Sequence, residues 1–159
     1  MTRTSRQIAG WVALAAYLVM GAFYYFSIKP GAGGLWPPDF HLRGYDVASI
    51  GPFVQALNDE ARASYAVVLQ RWDRLFIVSF ALWIALSGWR GGGLRYVVAG
   101  LAVLYGLIDL AENAAIYQFV FVTPLEPAAV DLASHLTMAK FASLYLSVLV
   151  LIWHMRRPG

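Results

Sequence analysis

Tyr96–Val122 reads YVVAGLAVLYGLIDLAENAAIYQFVFV, an apolar run interrupted near its middle by Asp109, Glu112 and Asn113. It is longer than the ~20 residues an α-helix needs to cross the ~30 Å hydrocarbon core of a bilayer, and it contains no proline. A carboxylate at that depth costs several kcal/mol unless it faces protein or water. The stretch therefore reads as a membrane span with a polar inner face, and its polar residues ask for partners on neighbouring helices.

A helix turns about 100° per residue. On that wheel Asp109, Glu112, Asn113, Tyr105 and Tyr117 share one side of the helix, joined by Ala102 and Gly106. The opposite side is Leu, Val, Ile, Ala and Phe, which can meet lipid. The chain as a whole agrees: 60% of its 159 residues are hydrophobic and 13% are charged, whereas soluble domains carry about a quarter charged residues. The expected fold is all-α, a single integral membrane domain in the form of a four-transmembrane-helix bundle.

The other elements follow from the same period. A first span is expected over 8–28. It is too long for the 7–15-residue core of a signal peptide, and no A-x-A cleavage site follows it. Residues 29–58 hold Pro30, Gly31, Gly33, Gly34, Pro37 and Pro38 and read as an extramembrane cap. A short helix over 47–57 is expected within it, with Phe53 and Leu57 on one face. Asn58-Asp-Glu60 is a good helix start, since a short polar side chain caps free amides and acids favour the positive end of the dipole. One long helix is expected over 59–89, about 45 Å long, its lower part the second span and its upper part projecting from the membrane. The third span covers 96–122 and the fourth 132–153. Arg3, Arg6, Arg90, Arg95, Arg156 and Arg157 fall on one side, and the short loop 123–131 has two acids and no base. The positive-inside rule then puts both termini in the cytoplasm and the cap on the far side of a cell (inner) membrane.

Candidate partners for the third span lie on the fourth and second. Lys140 shares a face with Ser143 and Ser147, with Thr137 nearby. Its depth lets its flexible stem reach Glu112, or Asp109 through Asn113 or water. Asp73 sits higher on the second span, within reach of Lys140, Arg74 or Arg43. Arg43, Tyr45, Arg62, Arg74 and His135 are candidates for the mouth of the cluster on the cap side. Two readings of these charges stand together: a structural network that fixes helix register, or a site open to the cap side where a carboxylate binds a polar headgroup or donates a proton.

Several chemistries are excluded. Without cysteine there are no thiolate metal sites, disulfides or cysteine nucleophiles. His41, His135 and His154 form no H-x-x-x-H or E-x-x-H pair, so no metal site is expected. No G-x-S-x-G elbow occurs, and Gly91-Gly-Gly93 lacks the Lys-Ser/Thr of a phosphate loop. No cofactor is called for and no catalytic residue is assigned. The net charge of +3 resides at helix ends and forms no basic stripe, which argues against nucleic acid.

Gly44-Tyr45, Leu57, Arg62, Tyr65, Asp73, Asp109-x-x-Glu112-Asn113 and Thr137-x-x-Lys140 together resemble a set of small four-span membrane proteins without an established activity. That resemblance implies the fold and no particular chemistry. In architecture alone the chain is also similar to four-helix membrane sterol isomerases and their receptor relatives, which use intramembrane carboxylates; no motif is shared. Three functions are carried forward. The first is a protein that binds membrane lipids or another hydrophobic ligand, or serves as an accessory subunit of a larger membrane complex. The second is an intramembrane enzyme acting on a lipid or isoprenoid, with Asp109 or Glu112 as acid/base. The third is a proton or ion pathway, which needs polar groups continuing to the other face.

Overall fold

A computed structural model of the protein describes residues 3–156. Arg157, counted above among the basic residues near the termini, lies outside the described residues. All regular structure among the described residues is helical. Helix α1 covers Arg3–Gly31, α2 covers Val47–Ala56, α3 covers 59–87, α4 covers Leu94–Val122 and α5 covers Pro127–Arg156. Helix α1 packs along α3, α3 along α4 and α4 along α5. The segment 32–46 and α2 lie across one end of this row and form a cap.

Among the described residues three helices, α1, α4 and α5, are long and apolar enough to cross a membrane. Helix α3 is not among them. Arg71, Asp73 and Arg74 stand at the head of its apolar section, Asp73–Ser87, which has 15 residues. At 1.5 Å per residue that is about 22 Å, short of the ~30 Å hydrocarbon core.

The inward face of α1 is built from small side chains, which let helices approach closely. Ala9, Ala13 and Ala16 of α1 are buried. On α5 the buried residues repeat at close to seven: Ala133, Lys140, Ser147 and His154 in one row, Val130, Thr137 and Leu151 in the other. This is the 3.5-residue period of knobs-into-holes packing, and Lys140 occupies a knob position.

Helices α1, α3 and α4 each widen into a π turn towards the cap, at Tyr24–Ile28, Val68–Trp72 and Gln118–Val122. Sequence alone places a break at Pro30. The helix instead continues through Lys29–Gly31. A proline removes one hydrogen bond and crowds the preceding turn, and the wider turn accommodates both effects. Tyr24, Ile28, Val68, Leu69, Phe119 and Val120 from these turns share one apolar core with Ile50, Phe53 and Val54 of α2.

The cap is pinned by polar contacts. Gly44 has φ +83°, and a Cβ there would meet Ser134 Oγ at 2.9 Å, so glycine serves both the backbone and the close approach. The next amide, Tyr45 N–H, donates to Ser134 Oγ at 2.8 Å. Arg62 donates to the Val120 and Val54 carbonyls at 2.9 and 3.2 Å, serving carbonyls near the ends of two helices. At the opposite end His154 Nε2 lies 3.1 Å from the Gly88 carbonyl, which ties the α3–α4 turn to the end of α5.

Asp46 caps α2. Its carboxylate accepts from the Ser49 amide at 2.8 Å and the Ser49 hydroxyl at 2.7 Å. The Ser49 hydroxyl, then the Ser49 amide, hold its carboxyl below the ordinary value. A depressed carboxyl stabilises the fold above its unfolded pKa, and that stabilisation is lost as pH falls through the folded value. The cap interaction is therefore complete above the ordinary Asp pKa of about 3.9 and lost on further acidification. The Ser49 amide proton shift, followed by NMR in micelles, should stay constant down to that region and move towards its unbonded value below it.

A candidate functional site of buried carboxylates and one lysine

The site sits where α3, α4 and α5 meet beneath the cap. Its parts follow from helix phase: Tyr105, Asp109, Glu112 and Asn113 lie on the inner face of α4, Thr137 and Lys140 on the inner face of α5, and Asp73 on α3 just past its π turn. Glu112 and Thr137 are wholly buried, and Asp109, Asn113, Asp73 and Lys140 nearly so.

Lys140 Nζ forms an ion pair with Glu112 Oε2 and lies 3.4 Å from Asp109 Oδ1. The Thr137 hydroxyl donates to the other oxygen of Glu112. Asn113 Nδ2 donates to Asp73 Oδ2 at 2.7 Å, bringing α3 into the same network. The Tyr105 phenol faces Asp109, and its ring meets Phe80 of α3 edge-on at 6.1 Å. Asn113 Oδ1 is buried and accepts no hydrogen bond.

Tyr45 reaches the cluster from the cap. It is buried, and its hydroxyl lies by Thr137 without a well-formed hydrogen bond. Burial pushes the phenol above its ordinary value; the Thr137 contact opposes this and the Glu112 carboxylate adds to it. Other residues anticipated at the mouth lie elsewhere. Arg43 and Arg74 are exposed, and Arg62 is engaged with backbone carbonyls. His135 is exposed beside Asp131, with Nδ1 2.8 Å from that residue's carbonyl. Tyr117 is half-buried and stacks on Phe121 at 4.7 Å. It stands one full turn beyond Asn113, where α4 begins to widen.

Asp39 was not anticipated. It lies in the short 3₁₀ turn Pro38–Phe40, and its Oδ2 accepts from Tyr65 Oη at 2.7 Å and Tyr24 Oη at 3.3 Å. The available signal was a lone carboxylate inside Trp36-Pro-Pro-Asp-Phe40, an otherwise apolar turn. Thr137 carried a signal too, one turn before Lys140 on the same face.

Two surface features flank the cluster. A groove of about 620 Å³ runs between α1 and α3, with Gly10, Leu14 and Tyr17 on one wall and Phe76, Phe80 and Trp83 on the other. A smaller pocket of about 310 Å³ lies at the cap end, lined by Tyr45, Asp46, Val47, Val130 and Asp131 among others. Neither is lined by Asp109, Glu112 or Lys140. Among the described residues no group of three or more His, Asp or Glu side chains is placed to hold a metal ion.

Removing one partner of a buried ion pair leaves an uncompensated charge and costs about 3–5 kcal/mol. Lys140→Met should cost stability on that scale, measured by reversible unfolding in mixed micelles. Glu112→Gln should cost less, because Asp109 still faces the ammonium. Combining Lys140→Met with Glu112→Leu should recover part of the loss, giving a non-additive cycle.

Compared with protein-family models, curated proteins and solved structures, the chain has no match in any of the three.

Proposed function

We propose that the protein is a four-span membrane protein that binds a lipid-like molecule in the groove between α1 and α3, while the buried cluster holds α3, α4 and α5 in register. The observation that carries this reading is the groove itself. It combines a wall of stacked aromatic rings with a mixed wall opposite, where Gly10 and Ala13 leave room between Trp11, Leu14 and Tyr17. Phe76 stacks on Phe80 at 5.2 Å, and Phe80 on Trp83 at 5.7 Å. Gly10 lets Trp83 sit close, since a Cβ there would meet the indole at 2.9 Å. From Gln7 to Tyr17 the groove follows about 15 Å of helix, enough for a length of acyl or isoprenoid chain. An accessory role in a larger complex fits the same features, with the bound lipid as part of the interface.

Helix α3 is the fourth span in this reading, packed between α1 and α4 and shielded from lipid along part of its length. Its Asp73 is held by Asn113, and Arg71 and Arg74 are exposed near the cap side, where long basic stems reach the headgroups. The termini and the α3–α4 turn are then cytoplasmic, with Arg3, Arg6, Arg90 and Arg95 together. The enzyme reading has less support. Asp109 and Glu112 are buried, Glu112 is engaged by both Lys140 and Thr137, and both grooves described stop short of them.

The absence of native cysteine makes the topology simple to test. In intact cells Gln55→Cys should react with a membrane-impermeant maleimide, and Gly91→Cys only after permeabilisation. Reaction of both in intact cells would mean that α3 does not cross.

The groove is tested in liposomes of phosphatidylethanolamine and phosphatidylglycerol carrying a diazirine-tailed phospholipid. Labelling should concentrate on peptides containing Gln7–Tyr17 and Phe76–Trp83. Leu14 is exposed, so Leu14→Trp fills the groove from the lipid side. It should cut labelling there about tenfold, equivalent to roughly 1.4 kcal/mol of binding. Even labelling along all lipid-facing helices, unchanged in Leu14→Trp, would sink the proposal.

A further inference from the structure

The charges of the buried cluster do not balance. Asp73, Asp109 and Glu112 bring three carboxylates, and Lys140 is the cation that meets them. No second base compensates among the described residues. Arg62 is spent on the Val120 and Val54 carbonyls, and Arg43 and Arg74 are exposed. Fully ionised, the cluster would hold two excess negative charges in a low-dielectric interior, where even one unpaired charge is costly. The neighbouring ionisable groups make this no easier. Asp39 from the cap adds another carboxylate nearby, to which Tyr24 and Tyr65 donate; Tyr105 faces Asp109, and Tyr45 meets the His41 ring edge-on at 5.8 Å.

The hydrogen-bond pattern points the same way independently. Asn113 is almost wholly buried, its amide N–H donates to Asp73, and its carbonyl oxygen Oδ1 has no donor. The adjacent groups on α3 and α4 are carboxyls, which donate a hydrogen bond only when protonated. A proton on any of them removes one excess charge, and on Asp73, which already meets the Asn113 amide, it would also supply a donor beside this oxygen.

The cap end offers an entrance. The pocket at the cap end carries two exposed acids, Asp46 and Asp131, on its rim, and Tyr45 lies in its wall. The same Tyr45 contacts Thr137, which donates to Glu112. The Tyr45 side chain therefore stands between an acidic, open pocket and the buried carboxylate, and its hydroxyl has no well-formed bond to hold it there. Towards the other end of the bundle the buried polar side chains among the described residues are Tyr105 on α4, Ser79 and Ser87 on α3, and Ser143, Ser147 and His154 on α5; none is an acid or pairs with the Lys140 ammonium, and Ser79 donates to the Leu75 carbonyl of its own helix. Ser143 donates to the Lys140 carbonyl and Ser147 to the Ser143 carbonyl, both within their own helix. About two helical turns then separate Ser147 from His154, whose ring lies against the Gly88 carbonyl.

We propose that the Asp73–Asp109–Glu112–Lys140 cluster is a proton-binding site, loaded from the cap end when the Tyr45 side chain swings into the pocket above it. A hydronium that enters gives its proton to a carboxylate oxygen. Water returns to the pocket, the carboxylate becomes a carboxyl, and Lys140 stays an ammonium. Two bound protons make the cluster neutral. This is independent of the lipid groove, and either reading can fail alone.

The test uses the whole protein in liposomes and infrared difference spectroscopy. At neutral pH the wild type should show the carbonyl stretch of buried protonated carboxyls, shifting in D₂O. Asp73→Asn and Asp109→Asn should each remove part of that band; where a variant does not fold, aspartate labelled with ¹³C at its side-chain carboxyl identifies the same band in the wild type. Tyr45→Ala opens the gate and should speed the deuterium shift about tenfold or more. Ala48→Trp, at an exposed pocket residue, should slow it by a similar factor. Absence of a protonated-carboxyl band at neutral pH would overturn the proposal, as would its loss on adding sodium or potassium, which would mark a metal-cation site. Exchange rates unchanged in both pocket variants would overturn the route through Tyr45.

Discussion

A single ammonium in a medium that cannot solvate it organises this bundle. Lys140 projects from a knob position of α5 into the face of α4, where Glu112 and Asp109 receive it. Sliding α5 by one residue would turn Lys140 about 100° away and leave three groups uncompensated. Thr137 and Asn113 extend the constraint, one by engaging Glu112 and the other by drawing in Asp73 of α3. Polar contacts thus fix α3, α4 and α5 against one another. Helix α1 stands outside that arrangement along most of its length, held to α3 by alanines and aromatic rings, and the larger of the two grooves lies along this apolar seam.

The long apolar helices and the inner face of α4 were legible because both depend on period and composition. Tyr105, Asp109, Glu112 and Asn113 fall together at 100° per residue, and the structure buries all four. Lys140 was legible for the same reason, since antiparallel neighbours of similar length bring their middles together. Tyr117 falls about 80° round the helix from Asp109, at the flank of that face, and is half-buried against Phe121. Pro30 misled, since a proline read as a terminator sits inside a helix whose preceding turn has made room for it. His135 shares a helix with Lys140 but falls on its outer side.

Asp39 was illegible for another reason. Its role arises only when a cap loop folds back over the ends of α1 and α3 so that two phenols from different helices meet one carboxylate. Contacts between segments far apart in sequence leave no local pattern. The same holds for Ser134, whose hydroxyl accepts the Tyr45 amide across 89 residues of chain.

The three π turns have a structural consequence of their own. In α1 and α3 the turn inserts one extra residue, so the portion beyond it is rotated by about 100° relative to an uninterrupted α-helix, whereas in α4 it closes the helix at Val122. Helix α3 uses this to present Tyr65 to Asp39 above the turn and Asp73 to Asn113 below it. The turn acts as a phase shifter between two storeys of one rod. The cap storey and the bundle storey can thereby each be optimised in sequence without dragging the other out of alignment, at the cost of one residue.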